Sequence, residues 1–187
     1  MSKAICMVEY AAISRGVAAA DGMVKAAAVS LRKARAICPG RLIAVFTGRL
    51  AAVKAAVDFA RANFPGEMED CLVIGRPHAG LLDALVADRA VPFNEPAALG
   101  MLETTTVASC ALAADYGLKA ADVRLLHIHY GSGMCGKCYF LISGSVADVE
   151  EALAAAKANL SHGGAVVDWT LIPNPDETVW KALTGGE

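Results

Sequence analysis

The sequence predicts an α/β protein made of two tandem copies of one unit, each an α/β sandwich of ferredoxin-like character. Three observations predict it: the chain matches itself at an offset near half its length, each half alternates short apolar strands with alanine-rich helices, and a proline-bearing segment separates the halves. Met7 and Glu9 fall on Met101 and Glu103, Ala19-Ala20-Asp21 on Ala113-Ala114-Asp115, and Lys25-Ala26-Ala27 on Lys119-Ala120-Ala121, all 94 positions apart. Past Ile37 the offset becomes 96, so that Gly40-Arg41 meets Gly136-Lys137 and Val45-Phe46-Thr47-Gly48 meets Leu141-Ile142-Ser143-Gly144. Near the end of each copy it is 98, with Pro77 on Pro175 and Ala84-Leu85 on Ala182-Leu183. The first copy is thus expected over residues 1–89, a linker with Pro92 and Pro96 over 90–96, and the second copy over 97–187.

Each copy reads β-α-β-β-α-β-α. Cys6 to Tyr10 is a short strand, and Val17 to Ala28 an alanine-rich helix with Ser14 as its candidate cap. Val29 to Ile37 alternates apolar residues with Ser30, Arg32 and Arg35, which suits a half-buried strand. Cys38-Pro39-Gly40 makes the turn, because proline fixes the backbone and glycine frees it. Leu42 to Phe46 returns as a central strand ended by Gly48; Ala51 to Ala62 is the second helix and Cys71 to Ile74 the last strand.

Composition removes several function classes. Of 187 residues 56% are hydrophobic and 19% charged, and the mean hydropathy of +0.45 is high for a soluble monomer. No apolar span reaches the length of a membrane helix, since Leu42 to Phe46 is cut off by Thr47 and Gly48. The surplus apolar surface is therefore assigned to subunit contacts. The opening Met1 to Cys6 lacks the apolar stretch of a secretion signal, so the cytoplasm is the expected compartment and the six cysteines are expected as thiols or ligands. A net charge of −2 and 6% aromatic residues supply neither a phosphate-tracking stripe nor a base-stacking platform, so no nucleic-acid partner is expected.

Gly131-Ser132-Gly133-Met134-Cys135-Gly136-Lys137-Cys138 fits GxGxxG and most of GxxxxGK. Those motifs cradle phosphate only where a helix follows, whereas here Tyr139-Phe140-Leu141-Ile142 reads as strand. The CxxC of Cys135 and Cys138 likewise enters a strand rather than opening a helix, and no second pair completes a zinc ribbon. Cys138, opposite Leu42 in the repeat, reads as a buried small hydrophobe. His127 and His129 face one side of a strand, but no third metal ligand can be placed beside them; His78 and His162 look like turn residues. No nucleophile–base–orienter set stands out, so no enzyme is expected.

The helix pattern Gly16 to Ala27, the strand, the Gly-containing turn, the strand ending in Gly48 and Ala52 to Val57 together resemble the bacterial microcompartment (BMC) shell domain. Two copies in one chain resemble the tandem-domain shell proteins. Ile37-Cys38-Pro39-Gly40, Gly136-Lys137-Cys138-Tyr139, and Ile172 to Pro175 with Trp180 are similar to the tandem form found in propanediol-utilisation compartments. The resemblance implies a homotrimer whose six domains form a pseudohexamer and tile with other shell proteins into a cytoplasmic microcompartment shell. It also implies pore-lining turns, here Ile37, Cys38, Pro39 and Gly40 in the first copy and Gly131, Ser132, Gly133, Met134 and Cys135 in the second. Lys25, Lys119 and Arg76 are the implied shell-edge contacts; the second copy carries Asn174 where the first has Arg76.

For this subtype the resemblance implies a [4Fe-4S] cluster in the pore, held by one Cys38 thiolate per subunit, for electron transfer across the shell. A threefold axis suits three irons of such a cubane and leaves the fourth open, for which Cys135 is a candidate ligand; three thiolates equally suit Zn²⁺ with an open position. A flavin or iron–sulfur protein is the implied redox partner. The rival readings are a cluster-free tile whose glycine-rich pore passes metabolites, a tandem small-ligand regulator, and a redox enzyme using Cys135 and Cys138.

Overall fold

A computed structural model describes residues 4–87, 97–130, 133–160 and 165–184. The first copy runs β1 (Ala4–Tyr10), α1 (Ile13–Ala26), β2 (Val29–Ile37), β3 (Arg41–Gly48), α2 (Leu50–Asn63), a 3₁₀ turn (Pro65–Glu67), β4 (Met68–Ile74) and α3 (Ala79–Val86). The second runs β5 (Ala98–Thr104), α4 (Val107–Ala120), β6 (Arg124–Tyr130), β7 (Cys138–Gly144), α5 (Val146–Asn159), β8 (Val166–Ile172) and α6 (Glu177–Thr184). The β-α-β-β-α-β-α order expected from the repeat is the observed order in both halves.

The sheets are ordered β2-β3-β1-β4 and β6-β7-β5-β8. Every neighbouring pair is antiparallel. The repeat extends to detail, since a one-residue register shift interrupts β2–β3 between Leu31 and Lys33 and β6–β7 between Leu125 and His127. Such a bulge breaks the strict alternation of faces. Central β1 is buried at all seven positions. Its Cys6, Val8 and Tyr10 pack into one core with Ala19, Met23, Phe46, Val53 and Val57, which joins β1 and β3 to both helices.

Helix α1 begins at Ile13, earlier than the sequence reading places it, and Ser14 lies inside its first turn; the N-cap is Ala12, which offers no side-chain bond. Gly16 therefore lies within the helix. A Cβ there would lie 2.7 Å from Leu42 Cδ2, so this glycine lets α1 approach β3.

The two copies solve the same helix contact with opposite residues. A Cβ on Gly22 of α1 would meet Phe59 Cε1 of α2 at 2.5 Å. The repeat positions are Tyr116 and Ala155, so the large side chain has moved to the other helix. One helix position further on, Gly117 stands where the first copy has Met23, and a Cβ there would lie 3.1 Å from the Ala152 carbonyl of α5. Each copy thus keeps one large and one small residue at these paired positions, the kind of exchange close-packed interiors tolerate.

Two compact units divide after Pro77. The β6–β7 loop through Gly136 belongs with the first unit, while α3 belongs with the second and packs on β6 and α4. The linker expected at 90–96 lies outside the described residues. In the second unit Trp180 of α6 joins Leu99, Leu126 and Leu141 in a separate apolar cluster.

Candidate functional site

The β2–β3 turn of the first copy is closed by Ile37 facing Arg41 across the ladder and by the Gly40 N–H donating to the Ile37 carbonyl at 2.8 Å. Gly40 has φ +98°, a left-handed conformation that glycine adopts without steric cost. Ile37 is buried, anchoring the base, while Cys38, Pro39 and Gly40 are exposed. The Cys38–Pro39 peptide is cis. The Cys38 thiol therefore sits at the exposed tip of a hydrogen-bonded turn.

In the second copy's loop, Gly131 and Ser132 lie outside the described residues. Gly133, Cys135 and Gly136 have φ values of 80°, 50° and 87°. Cys135 is exposed and Met134 half-buried. A Cβ on Gly136 would come within 2.9 Å of Arg41 Nη1, a contact the arginine tip can relieve, so it is the positive φ that favours glycine there. Arg41 in turn donates to Glu69 at 3.4 Å, and Lys137 donates to Glu103 at 2.7 Å.

The structure separates the six thiols into two sets. Cys6, Cys110 and Cys138 are buried and Cys71 is half-buried, while Cys38 and Cys135 are exposed. Burial pushes the Cys6 thiol up to about 12, with a smaller contribution from Cys71. Burial also raises Cys71, against the opposing pull of the Arg61 guanidinium. Thiols held protonated in this way make poor metal ligands, because it is the thiolate that binds. The CxxC is split accordingly: Cys138 is a core side chain of β7, and only Cys135 of the pair faces solvent.

His127 and His129 do share one side of β6, with Nε2 of one 3.4 Å from Nδ1 of the other. His129 also stacks on Tyr139 at a centroid distance of 5.0 Å. Among the described residues no group of three or more His, Cys, Asp or Glu side chains is gathered as a metal shell. His78 caps α3, its Nδ1 accepting from the Gly80 N–H at 3.3 Å. His162 lies outside the described residues.

The two lysines equated by the repeat differ in setting. Lys25 pairs with Asp21 at 2.6 Å, both side chains largely in solvent. Lys119 pairs with Asp115, which is buried and also accepts the His78 backbone N–H at 2.7 Å. Asp115 thus holds the start of α3, a role the sequence reading missed because the partner lies 37 residues away. Arg76 is exposed, as is Asn174 in the second copy.

Comparison with known proteins adds the following. A family model described as the BMC domain matches twice, over residues 4–77 and 98–175. The chain is 34% identical over 186 residues to the bacterial microcompartment shell protein PduT of Citrobacter freundii, covering 100% of both chains. It is 31% identical over 86 residues to the carboxysome shell protein CcmK3 of Halothece sp., covering 45% of this chain and 82% of that one. A crystal structure of a microcompartment protein from Desulfitobacterium hafniense superposes with a TM-score of 0.87 at 35% identity, over 97% of this chain and 99% of that one. A fused permuted hexameric shell protein of the RMM microcompartment shares the fold, with a TM-score of 0.66 at 23% identity over 85% and 84% of the two chains.

Proposed function

Because the chain belongs to the BMC-domain family, as a tandem-domain structural protein of a bacterial microcompartment shell similar to PduT, we propose that it tiles a shell facet as a homotrimer and holds an iron–sulfur cluster at its pore. The pore is lined by the Ile37–Gly40 turn and the Gly131–Cys135 loop, and each subunit contributes one Cys38 thiolate. The observation that carries the reading is the exposure of Cys38 on a hydrogen-bonded turn, while four other cysteines are withdrawn from solvent.

The residues fit the group in their chemistry. The Cys38 thiol is exposed, and the Gly40–Ile37 bond and Ile37 anchor hold the turn before a metal arrives, which lowers the entropy lost on binding. Three such turns about a threefold axis supply three thiolates, leaving one iron for water or one Cys135. A bound cluster would supply one-electron chemistry, and the proposed role is electron transfer across the shell. The same three thiolates would suit Zn²⁺ with an open position.

Lys25, Lys119 and Arg76 are the proposed edge contacts to neighbouring tiles, whether copies of this trimer or other shell proteins. A flavin or iron–sulfur protein docking over the pore is the proposed redox partner. Anaerobic reconstitution followed by iron and sulfide analysis tests the cofactor: about four of each per three chains is expected for a [4Fe-4S] site, with loss of both in Cys38→Ser. Stoichiometric zinc with no sulfide would replace the cluster with a zinc site.

A further inference from the structure

We propose that the first copy carries a binding site for a small neutral polyhydroxy molecule, in the cavity of about 160 Å³ lined by Tyr10, Arg15, Asn63, Phe64 and Glu67. The site shares no residue with the pore turn or the edge lysines, and is built where β1 ends, α1 begins and α2 passes into the Pro65–Glu67 turn.

Its signature is an orphaned hydroxyl. Tyr10 is fully buried, and no protein group among the described residues hydrogen-bonds its Oη. A buried hydroxyl without a partner costs about 1–3 kcal/mol, so such groups are rare in native structures unless something else satisfies them. Glu67 Oε2 on the same cavity is also withdrawn from solvent and accepts no hydrogen bond, although the Glu67 side chain as a whole is 42% exposed; Arg15 Nε lies 4.0 Å from it. Asn63 is already committed, donating through Nδ2 to the Phe59 carbonyl at 2.9 Å.

These groups define the ligand class. Burial pushes the Tyr10 phenol up to about 12, which keeps it neutral and able to donate. Glu67 can only accept. A hydroxyl that accepts from Tyr10, next to one that donates to Glu67, satisfies both orphans at once. Arg15 and Glu67 cancel in charge, so a carboxylate would face Glu67 and an ammonium would face Arg15. Phe64 and Pro65 give the carbon skeleton an apolar wall. The volume admits several water-sized groups, enough for a small polyol.

The repeat supplies an internal control. Thr104 replaces Tyr10 in the second copy, and its hydroxyl donates to the Thr106 carbonyl at 2.8 Å. Ser109 replaces Arg15, and its Oγ accepts from the Thr106 hydroxyl at 2.8 Å. The second copy therefore satisfies the equivalent hydroxyls internally and has no guanidinium at that position.

Saturation-transfer NMR on the full-length assembled protein tests the site, with glycerol as the probe and acetate and methylammonium as charged comparators of similar size. The expected result is transfer to glycerol, at least a fivefold loss in Tyr10→Phe, and little transfer to either ion. No transfer to glycerol in the wild type, equal transfer in Tyr10→Phe, or preference for an ion would overturn the proposal. Should Tyr10→Phe fail to fold, Glu67→Ala must show the same loss.

Discussion

Replacing Asp115 by alanine should cost far more than the same change at Asp21, its partner in the repeat. Asp115 is buried and bonds both the His78 N–H at the start of α3 and the Lys119 ammonium. A hydrogen bond from a backbone donor to a carboxylate is worth about 1.5–3 kcal/mol. The Lys119 pair adds less, since that side chain is 41% exposed and such pairs contribute about 0.3–0.5 kcal/mol. Asp115→Ala should therefore destabilise by about 2–3 kcal/mol. At roughly 2–4 °C per kcal/mol for a chain of this size, that lowers Tm by about 4–12 °C. Asp21 and Lys25 are both exposed, so Asp21→Ala should cost only about 0.3–0.5 kcal/mol. Urea unfolding at matched protein concentration reads the difference, because assembly makes stability concentration-dependent. Hydrogen exchange across α3 should quicken in Asp115→Ala alone. Costs for the two variants within 0.5 kcal/mol of each other would refute the assigned role of Asp115.

The other expectations concern packing, pH and thiol access. Gly22→Ala drives a Cβ to 2.5 Å from Phe59 and should cost about 1–3 kcal/mol, with Phe59→Leu in the same chain recovering part; absence of recovery would show that the clash is not with that ring. Cys6 and Tyr10 both have folded pKa values raised to about 12, from 9.0 and 10.0. Unfolding at alkaline pH therefore releases protons, so stability is full below about pH 9 and falls as pH rises towards 12. Cys6→Ala should flatten the first part of that fall, and an unchanged profile would contradict the burial argument. A thiol reagent should modify Cys38 and Cys135 quickly in the folded metal-free protein and Cys6, Cys110 and Cys138 only on unfolding, which peptide mapping can check.

The element order was legible because the chain states it twice, and a strand missed in one half shows in the other. Val29–Ile37 was read to the residue, although its burial does not alternate: Leu31, Ala34 and Ala36 are exposed on this edge strand, and the bulge at Leu31–Lys33 shifts the faces. The start of helix α1 was not legible, because its N-cap is Ala12, which carries no capping side chain to mark it, whereas Ser14 offered one inside the first turn. The turn of Cys38 was visible in Pro39 and Gly40, whose backbone demands are local. Asp115 and Tyr10 were not visible. Their roles depend on what packs beside them from elsewhere in the chain, and Asp21 shows that the same letter at the same repeat position can be solvated. The exposure of Cys135 and burial of Cys138, three residues apart, follow from where β7 begins.

The most direct test of the central claim is a native mass spectrum of anaerobically purified protein beside its Cys38→Ser variant. A trimer carrying the mass of one Fe₄S₄ unit is expected, with a trimer of Cys38→Ser that lacks it. A wild-type trimer with no added mass, or a cluster retained in Cys38→Ser, would contradict the assignment of Cys38, and a discrete monomer would contradict the tile itself.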